Sequence, residues 1–233
     1  HVFGRPSQII KIKEIANNWK IPLVEDAAEA LGSWVKNKKS YKHCGLFGKV
    51  SIISFNGNKV ITTGGGGVLL TNDSKLSKRA KHLSNTAKIP HKWELAHDFI
   101  GWNDRLPNIN AALGVAQMEV LKTRLTLKRQ LFVKYQEIFA EIKGLEILKD
   151  PKGCKSNHWL ITLRIKEPKR QNLKKIRDDI LNNANEEGLL LRPSWKLLNK
   201  LNIYKDCPAG NLKNARDQSF RIINLPSSPQ LMK

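Results

Sequence analysis

SFNGNKVITTGGGG, residues 54–67, sets Lys59 between an Asn-Gly turn and four consecutive glycines. VSIISF upstream and KVITT downstream are short runs rich in β-branched residues, and Asn-Gly between such runs is the strongest local hairpin signal. On that reading Lys59 is a solvated lysine on a hairpin. A phosphate loop is the second reading, and residue order excludes it. A P-loop carries its lysine after the glycines, with Ser or Thr following, and GGGGV has no GxGxxG spacing. The stretch alone leaves the role of Lys59 open, so the flanking chain has to decide it.

On the amino-terminal side Ile9, Ile12, Ile15, Ala16 and Trp19 keep helical spacing, with Ser7 as the expected N-cap. IPLV then reads as a short buried strand ending in two acids, Glu25 and Asp26. A helix followed by a buried strand with polar residues at its carboxyl end is an α/β signature, and ligands in such sheets sit beyond the strand ends. VSIISF and GVLLT supply two more strands, and Ser74 to Leu83 a short helix with Leu76, Ala80 and Leu83 on one face. After Pro107 a long helical pattern runs through Leu113, Val120, Leu121, Phe132, Tyr135, Phe139 and Ile142, an apolar stripe expected in a core. Gly144, Pro151 and Gly153 break it. HWLITLRI and a helix from about Asn172 to Asn185 then read as a second α+β unit.

Composition narrows the class. The 233 residues could bury one large core or two small ones, and 40% hydrophobic content with six Trp and seven Phe suits a globular chain. No apolar run approaches the roughly 18 residues of a membrane span. Cys44, Cys154 and Cys207 are odd in number and far apart, which argues against a disulfide framework or a CxxC metal site and favours a reducing cytoplasm. The balance of 41 basic and 20 acidic residues gives +21. Yet the lysines are spread, as in KIKE, VKNKKSYK, KLSKRAKH and KEPKRQNLKK, with no dense block. Nucleic-acid binding is therefore a distant alternative to solvated surface.

Asp26 at a strand end, the Ser54 hydroxyl and Lys59 are the parts needed to hold pyridoxal phosphate. A lysine forms a Schiff base with the aldehyde, a carboxylate keeps the ring nitrogen protonated so that the ring is an electron sink, and a hydroxyl donates to the phosphate. Fully extended, Ser54 to Lys59 would span about 17 Å, too far for one small cofactor. Asn56-Gly57 supplies the turn that shortens it. Taken alone, these residues leave this as one hypothesis among several.

VEDAAEALGS, SFNGNKVITTGGGGVLLTND and GWNDRLPNINAALGVAQMEVL, in this order, resemble the DegT/StrS family of sugar aminotransferases over nearly the whole chain. HVFGRP, TAKIPHKWE, LRPSW and INLPSS have the flavour of its LegC-type subgroup. The resemblance implies an α/β, type I (aspartate aminotransferase-like) fold. Residues 1–127 would be part of the large cofactor domain, and residues 128–233 the small C-terminal α+β domain. It implies pyridoxal 5'-phosphate as cofactor, and transfer of an amino group, from glutamate, to the 4-keto group of a nucleotide-linked 6-deoxy sugar for bacillosamine- or legionaminic-acid-type glycans. The implied partners are that nucleotide sugar, the amino donor and a second copy in a cytoplasmic homodimer, with no nucleic acid and no membrane. A non-catalytic, pyridoxal-phosphate-binding regulator on the same scaffold is the alternative from another class.

Position by position, the resemblance makes Lys59 the Schiff-base lysine and later general base and acid, and Asp26 the partner of the ring nitrogen. Glu29 takes the place, often Gln, that approaches the ring hydroxyl, and Ser54 contacts the phosphate. Asn103 would reach the phosphate of the neighbouring subunit, and Arg105 would be a structural or substrate contact. Each has a plainer alternative: Asp26 as N-cap of a helix over AAEAL, Glu29 as a helix-surface acid, Ser54 as an ordinary strand residue, and Arg105 as an ion-pair partner. The chain departs from the family where GYNYR is GWNDR and where Lys49 follows Gly48 in place of an acid. The family's amino-terminal phosphate loop and ring-stacking aromatic have no counterpart before His1. The expectation is that residues 1–233 alone are not a competent enzyme.

Overall fold

The computed structural model describes residues 1–166 and 172–232, so part of the basic run KEPKRQNLKK lies outside the described residues. In chain order the elements are α1 (Ile9–Asn18), β1 (Val24–Asp26), β2 (Trp34–Asn37), β3 (Ser40–His43), β4 (Val50–Ser54), β5 (Gly67–Leu70), α2 (Ser74–Leu83), α3 (Asn108–Glu119) and α4 (Leu121–Ala140). They continue with β6 (Leu145–Ile147), β7 (Cys154–Lys155), β8 (Ile161–Ile165), α5 (Leu173–Glu186), β9 (Arg192–Pro193), α6 (Lys213–Arg221) and β10 (Ile222–Leu225). The chain forms two compact units, residues 1–125 with 151–159, and residues 126–150 with 160–233. The segment 151–159 thus lies beyond the single cut expected after residue 127. Among the described residues no helix is long and apolar enough to cross a membrane.

In the first unit β1 runs parallel to β4, with Asp26 opposite Ile52. β5 runs antiparallel to β4, with Ser54 opposite Gly67. Side chains alternate along a strand, and residues paired across strands share a face. Glu25, Ser51, Ile53 and Leu70 therefore stand on one face, and Val24, Asp26, Ile52, Ser54 and Leu69 on the other. The first face packs on a core of Ile9, Ala27, Ala30, Val35, Cys44 and Phe47. On the second, Val24 is 70% exposed and Ile52 42%. Gly67 is required where β5 begins, because a Cβ there would stand 2.5 Å from the Ile53 carbonyl oxygen. A second sheet has β2 between β3 and β7, antiparallel to both.

Three local expectations need correction. KVITT is not a strand: β4 pairs with β5, and Val60 and Ile61 are buried as loop anchors. The hairpin reading of Lys59 falls with it. Ser7 is not the cap of α1; Gln8 holds that position, and the Ser7 Oγ lies 3.3 Å from His1 Nδ1. The long helical pattern is two helices, because Val120 leaves helical backbone at φ −97°, and Leu113 and Val120 remain 42% exposed. Periodicity marks an apolar face but not what covers it. By contrast α2 has its expected bounds, fixed by Asp73, whose Oδ1 accepts from the N–H groups of Lys75 and Leu76 at 2.9 and 3.1 Å.

The second unit is an antiparallel sheet in the order β6-β8-β10-β9. Its core joins Leu131 and Phe132 of α4 to Ile161, Leu163 and Ile165 of β8, Leu173 of α5, and Ile223 and Leu225 of β10. Lys128 is buried beside it, donating from Nζ to the Ser227 carbonyl at 2.5 Å.

Candidate active site

The loop carrying Lys59 leaves β4 at Ser54 and turns at Asn56-Gly57. The Asn56 Oδ1 accepts the Gly57 N–H at 2.8 Å, and the Lys59 N–H donates to the Asn56 carbonyl at 3.0 Å. Further bonds hold the loop closed: the Phe55 N–H to Gly66 O at 3.0 Å, the Thr63 N–H to Phe55 O at 2.9 Å, and Arg124 Nη1 to Val60 O at 3.2 Å. Gly64 and Gly66 return the chain to β5 at φ +80° and +88°, a region that costs glycine little. Lys59 is thus on a short, braced loop at the carboxyl end of β4.

The two strand-end acids divide the two faces between them. Glu25 is 2% exposed and accepts the N–H groups of Gly45 (2.6 Å), Phe47 (2.7 Å) and Gly48 (2.9 Å), with the Ser51 hydroxyl at 3.2 Å. It is the anchor of the loop between β3 and β4, a role that nothing in the spacing of the sequence marks. Asp26 points to the opposite face and is exposed; its Oδ1 accepts the Ala28 N–H at 3.0 Å. No helix follows it, because AAEAL folds as turns. Glu29 sits in that turn and not on a helix surface. Its Oε2 accepts the Phe3 N–H at 2.7 Å, and its Oε1 lies 3.7 Å from Lys59 Nζ. Burial raises the Glu29 pKa above the usual carboxylate value, the Phe3 N–H and the Lys59 ammonium draw it back, and Asp26 pushes it up.

Glu29, Ser54 and Lys59 line one narrow crevice, with apolar walls from Ala28, Leu31, Val60 and Ile61. The Ser54 Oγ accepts the Asn56 N–H at 3.2 Å, which leaves the hydroxyl hydrogen to donate. Asn103 and Arg105 are exposed and are not among the lining residues. Their segment is held along the end of α2 by the Trp102 N–H to Leu83 O at 2.7 Å and the Asp104 N–H to Ser84 O at 3.0 Å. Trp159 lies against Lys59, with Nζ 4.1 Å from the ring centroid. Sequence reading missed it, since a Trp in an apolar run signals a strand.

An amine, a hydroxyl and a half-buried acid in one cleft, with a further carboxylate at the adjoining strand end, can link an aldehyde covalently and hold charge on both sides of it. That donor set fits pyridoxal phosphate. Comparison with known proteins agrees. The chain is 36% identical over 198 residues to the Bacillus subtilis (strain 168) protein EpsN, covering 85% of this chain and 48% of EpsN. It is 31% identical over 231 residues to the GDP-perosamine synthase of Escherichia coli O157:H7, covering 99% of this chain and 60% of that protein. The solved structure of Helicobacter pylori PseC, an aminotransferase involved in the biosynthesis of pseudoaminic acid, superposes with a TM-score of 0.87 at 24% identity, over 99% of this chain and 60% of PseC. The fold is that of the type I transferases, and the chain spans about half to six-tenths of the length of the relatives it matches. A profile of the DegT/DnrJ/EryC1/StrS aminotransferase family matches residues 1–233, and the chain belongs to that family.

Proposed function

We propose that the protein containing this chain is a pyridoxal-phosphate-dependent aminotransferase that aminates the 4-keto group of a nucleotide-linked 6-deoxy sugar. The observation that supports it best is the cleft in which Lys59 meets Glu29 and Ser54 at the carboxyl ends of the parallel pair β1–β4. The finer reading is a LegC-type enzyme of bacillosamine- or legionaminic-acid-type pathways that takes its nitrogen from glutamate and works as a cytoplasmic homodimer. On this reading residues 1–127 belong to the large cofactor domain and residues 128–233 to the small domain.

When bound, pyridoxal phosphate supplies an electron sink for the substrate carbon. Lys59 would be the amine that holds it through its aldehyde and, when free, the group that would carry a proton to and from the substrate carbon. Asp26 would keep a proton on the ring nitrogen, Ser54 would donate its hydroxyl hydrogen to the phosphate, and Glu29 would serve the ring hydroxyl. Asn103 serves the phosphate site of a second copy, and Arg105 meets the substrate. The positive charge of the chain suits a nucleotide diphosphate and requires no nucleic acid.

The test is amination by the protein expressed from its whole reading frame, supplied with pyridoxal phosphate, glutamate and a UDP-linked 4-keto-6-deoxy-N-acetylhexosamine. The amino sugar should appear by mass spectrometry, with loss of the product in Lys59→Ala. Cofactor bound at Lys59 with no turnover of any 4-keto nucleotide sugar would favour the regulator instead.

A further inference from the structure

Lys59 has one close neighbour that the proposed chemistry leaves unused. The Lys59 ammonium stands 4.1 Å from the centre of the Trp159 ring and 3.7 Å from Glu29 Oε1. A cation is drawn to the face of an indole, more strongly as water is excluded, and Trp159 is only 6% exposed. The ring is also fixed. Its Nε1–H donates to the carbonyl of Asn58, the residue before Lys59, at 2.6 Å, and its backbone N–H donates to Asn157 Oδ1 at 2.8 Å.

Asn157 ties the Glu29 turn to the Trp159 segment. It is 1% exposed, and its amide hydrogens go to the carbonyls of Glu29 at 2.7 Å and Leu31 at 2.8 Å. Its backbone N–H donates to Ser33 Oγ at 3.0 Å. One residue therefore fastens both the turn that presents Glu29 and the segment that presents Trp159. Between them His158 is held at φ +50°, an uncommon backbone state for a residue with a side chain. Such a conformation persists where its surroundings over-determine it, and it often marks a functional site.

We propose that Trp159 is a positioning residue: its indole face is the seat of the Lys59 ammonium whenever that lysine is not covalently engaged, and Asn157 fixes the seat opposite Glu29. The proposal rests on reading Lys59 as the cofactor lysine, and adds where the amine goes once released. A lysine that is first a covalent anchor and then a proton carrier must stay within reach, although its four-carbon stem is flexible. The seat confines it. The charged groups around the seat are Glu29, facing it from the turn after β1, and Asp26, acting on Glu29.

The test follows the rate of acetylation of Lys59 at one fixed pH in the cofactor-free protein expressed from its whole reading frame, resolved by peptide mass spectrometry and read against exposed lysines of the same sample. Trp159→Met removes the aromatic face, and Lys59 should be acetylated about two- to fivefold faster. Trp159→Phe keeps a weaker face and should change the rate less. A Lys59 rate in Trp159→Met equal to that of the parent would overturn the seat, even if melting temperatures moved. Should the Met variant not fold, Trp159→Phe decides: a smaller rise supports the seat and an unchanged rate contradicts it. Borohydride reduction of the cofactor-loaded parent separates the two layers. Fixation on a residue other than Lys59 would bring down the cofactor assignment and the seat with it. Fixation on Lys59 with unchanged acetylation rates would bring down the seat alone.

Discussion

The two faces of the β1–β4–β5 sheet use adjacent residues for opposite ends. On the inner face Glu25 is buried and its oxygens accept three backbone N–H groups and a hydroxyl. On the outer face Asp26 is exposed and meets the N–H of its own turn. A strand alternates its side chains, so one residue step separates a carboxylate that shapes a loop from one exposed on the face where we propose the cofactor binds. The lesson is that chemical type does not identify a site acid; the face does.

Substitutions should separate the two faces. Asp26→Asn should leave the melting temperature near that of the parent and cut turnover by about two to four powers of ten, if losing one side of a charge pair costs about 3 to 5 kcal/mol in the transition state. Steady-state rates and a thermal melt measure both, and a near-normal rate would assign the ring nitrogen to another group. Glu25→Ala should do the reverse. Its donors would be left buried and unmet, a loss of about 3 to 5 kcal/mol of folding stability by denaturant titration. A stable Glu25→Ala protein with normal folding would erase the contrast.

How much of this could be read in advance follows the same division. The turn at Asn56-Gly57, the lysine beyond it and the ends of α2 were legible, because local residues fix them: an Asn-Gly pair and the Asp73 cap. KVITT was not, since its β-branched residues serve burial of Val60 and Ile61 and not strand pairing. The division of labour between Glu25 and Asp26 needed the register of β1 against β4. Trp159 was beyond reach for a plainer reason. It meets Lys59 from a hundred positions away in sequence, and no periodicity encodes such a contact.

A buried charge in the second unit sharpens the comparison. Burial pushes the Lys128 pKa down to about 8 from 10.5. An unfolded chain then holds more protons than the folded one between about pH 8 and 10.5, so stability should rise with pH across that window, by about 3 kcal/mol in full. Below pH 8 the penalty of charging it is constant. Lys128→Met should flatten the dependence in unfolding titrations at pH 7, 9 and 10.5, and a persistent slope of the same size would place its origin elsewhere. The smallest effect is expected at Ser54. Removing one charge-assisted hydrogen bond in Ser54→Ala, at about 1.5 to 3 kcal/mol, should weaken cofactor binding about ten- to a hundredfold in an absorbance titration. Unchanged affinity would make Ser54 a strand residue only.

The central claim is that Lys59 is the residue to which the cofactor bonds. Pyridoxal phosphate added to the protein expressed from its whole reading frame, reduced with borohydride and mapped by peptide mass spectrometry, tests it directly. The added mass should fall on the peptide that contains Lys59, and it should be missing in Lys59→Ala. The same mass on a different lysine, or retained labelling and turnover in Lys59→Ala, would contradict it.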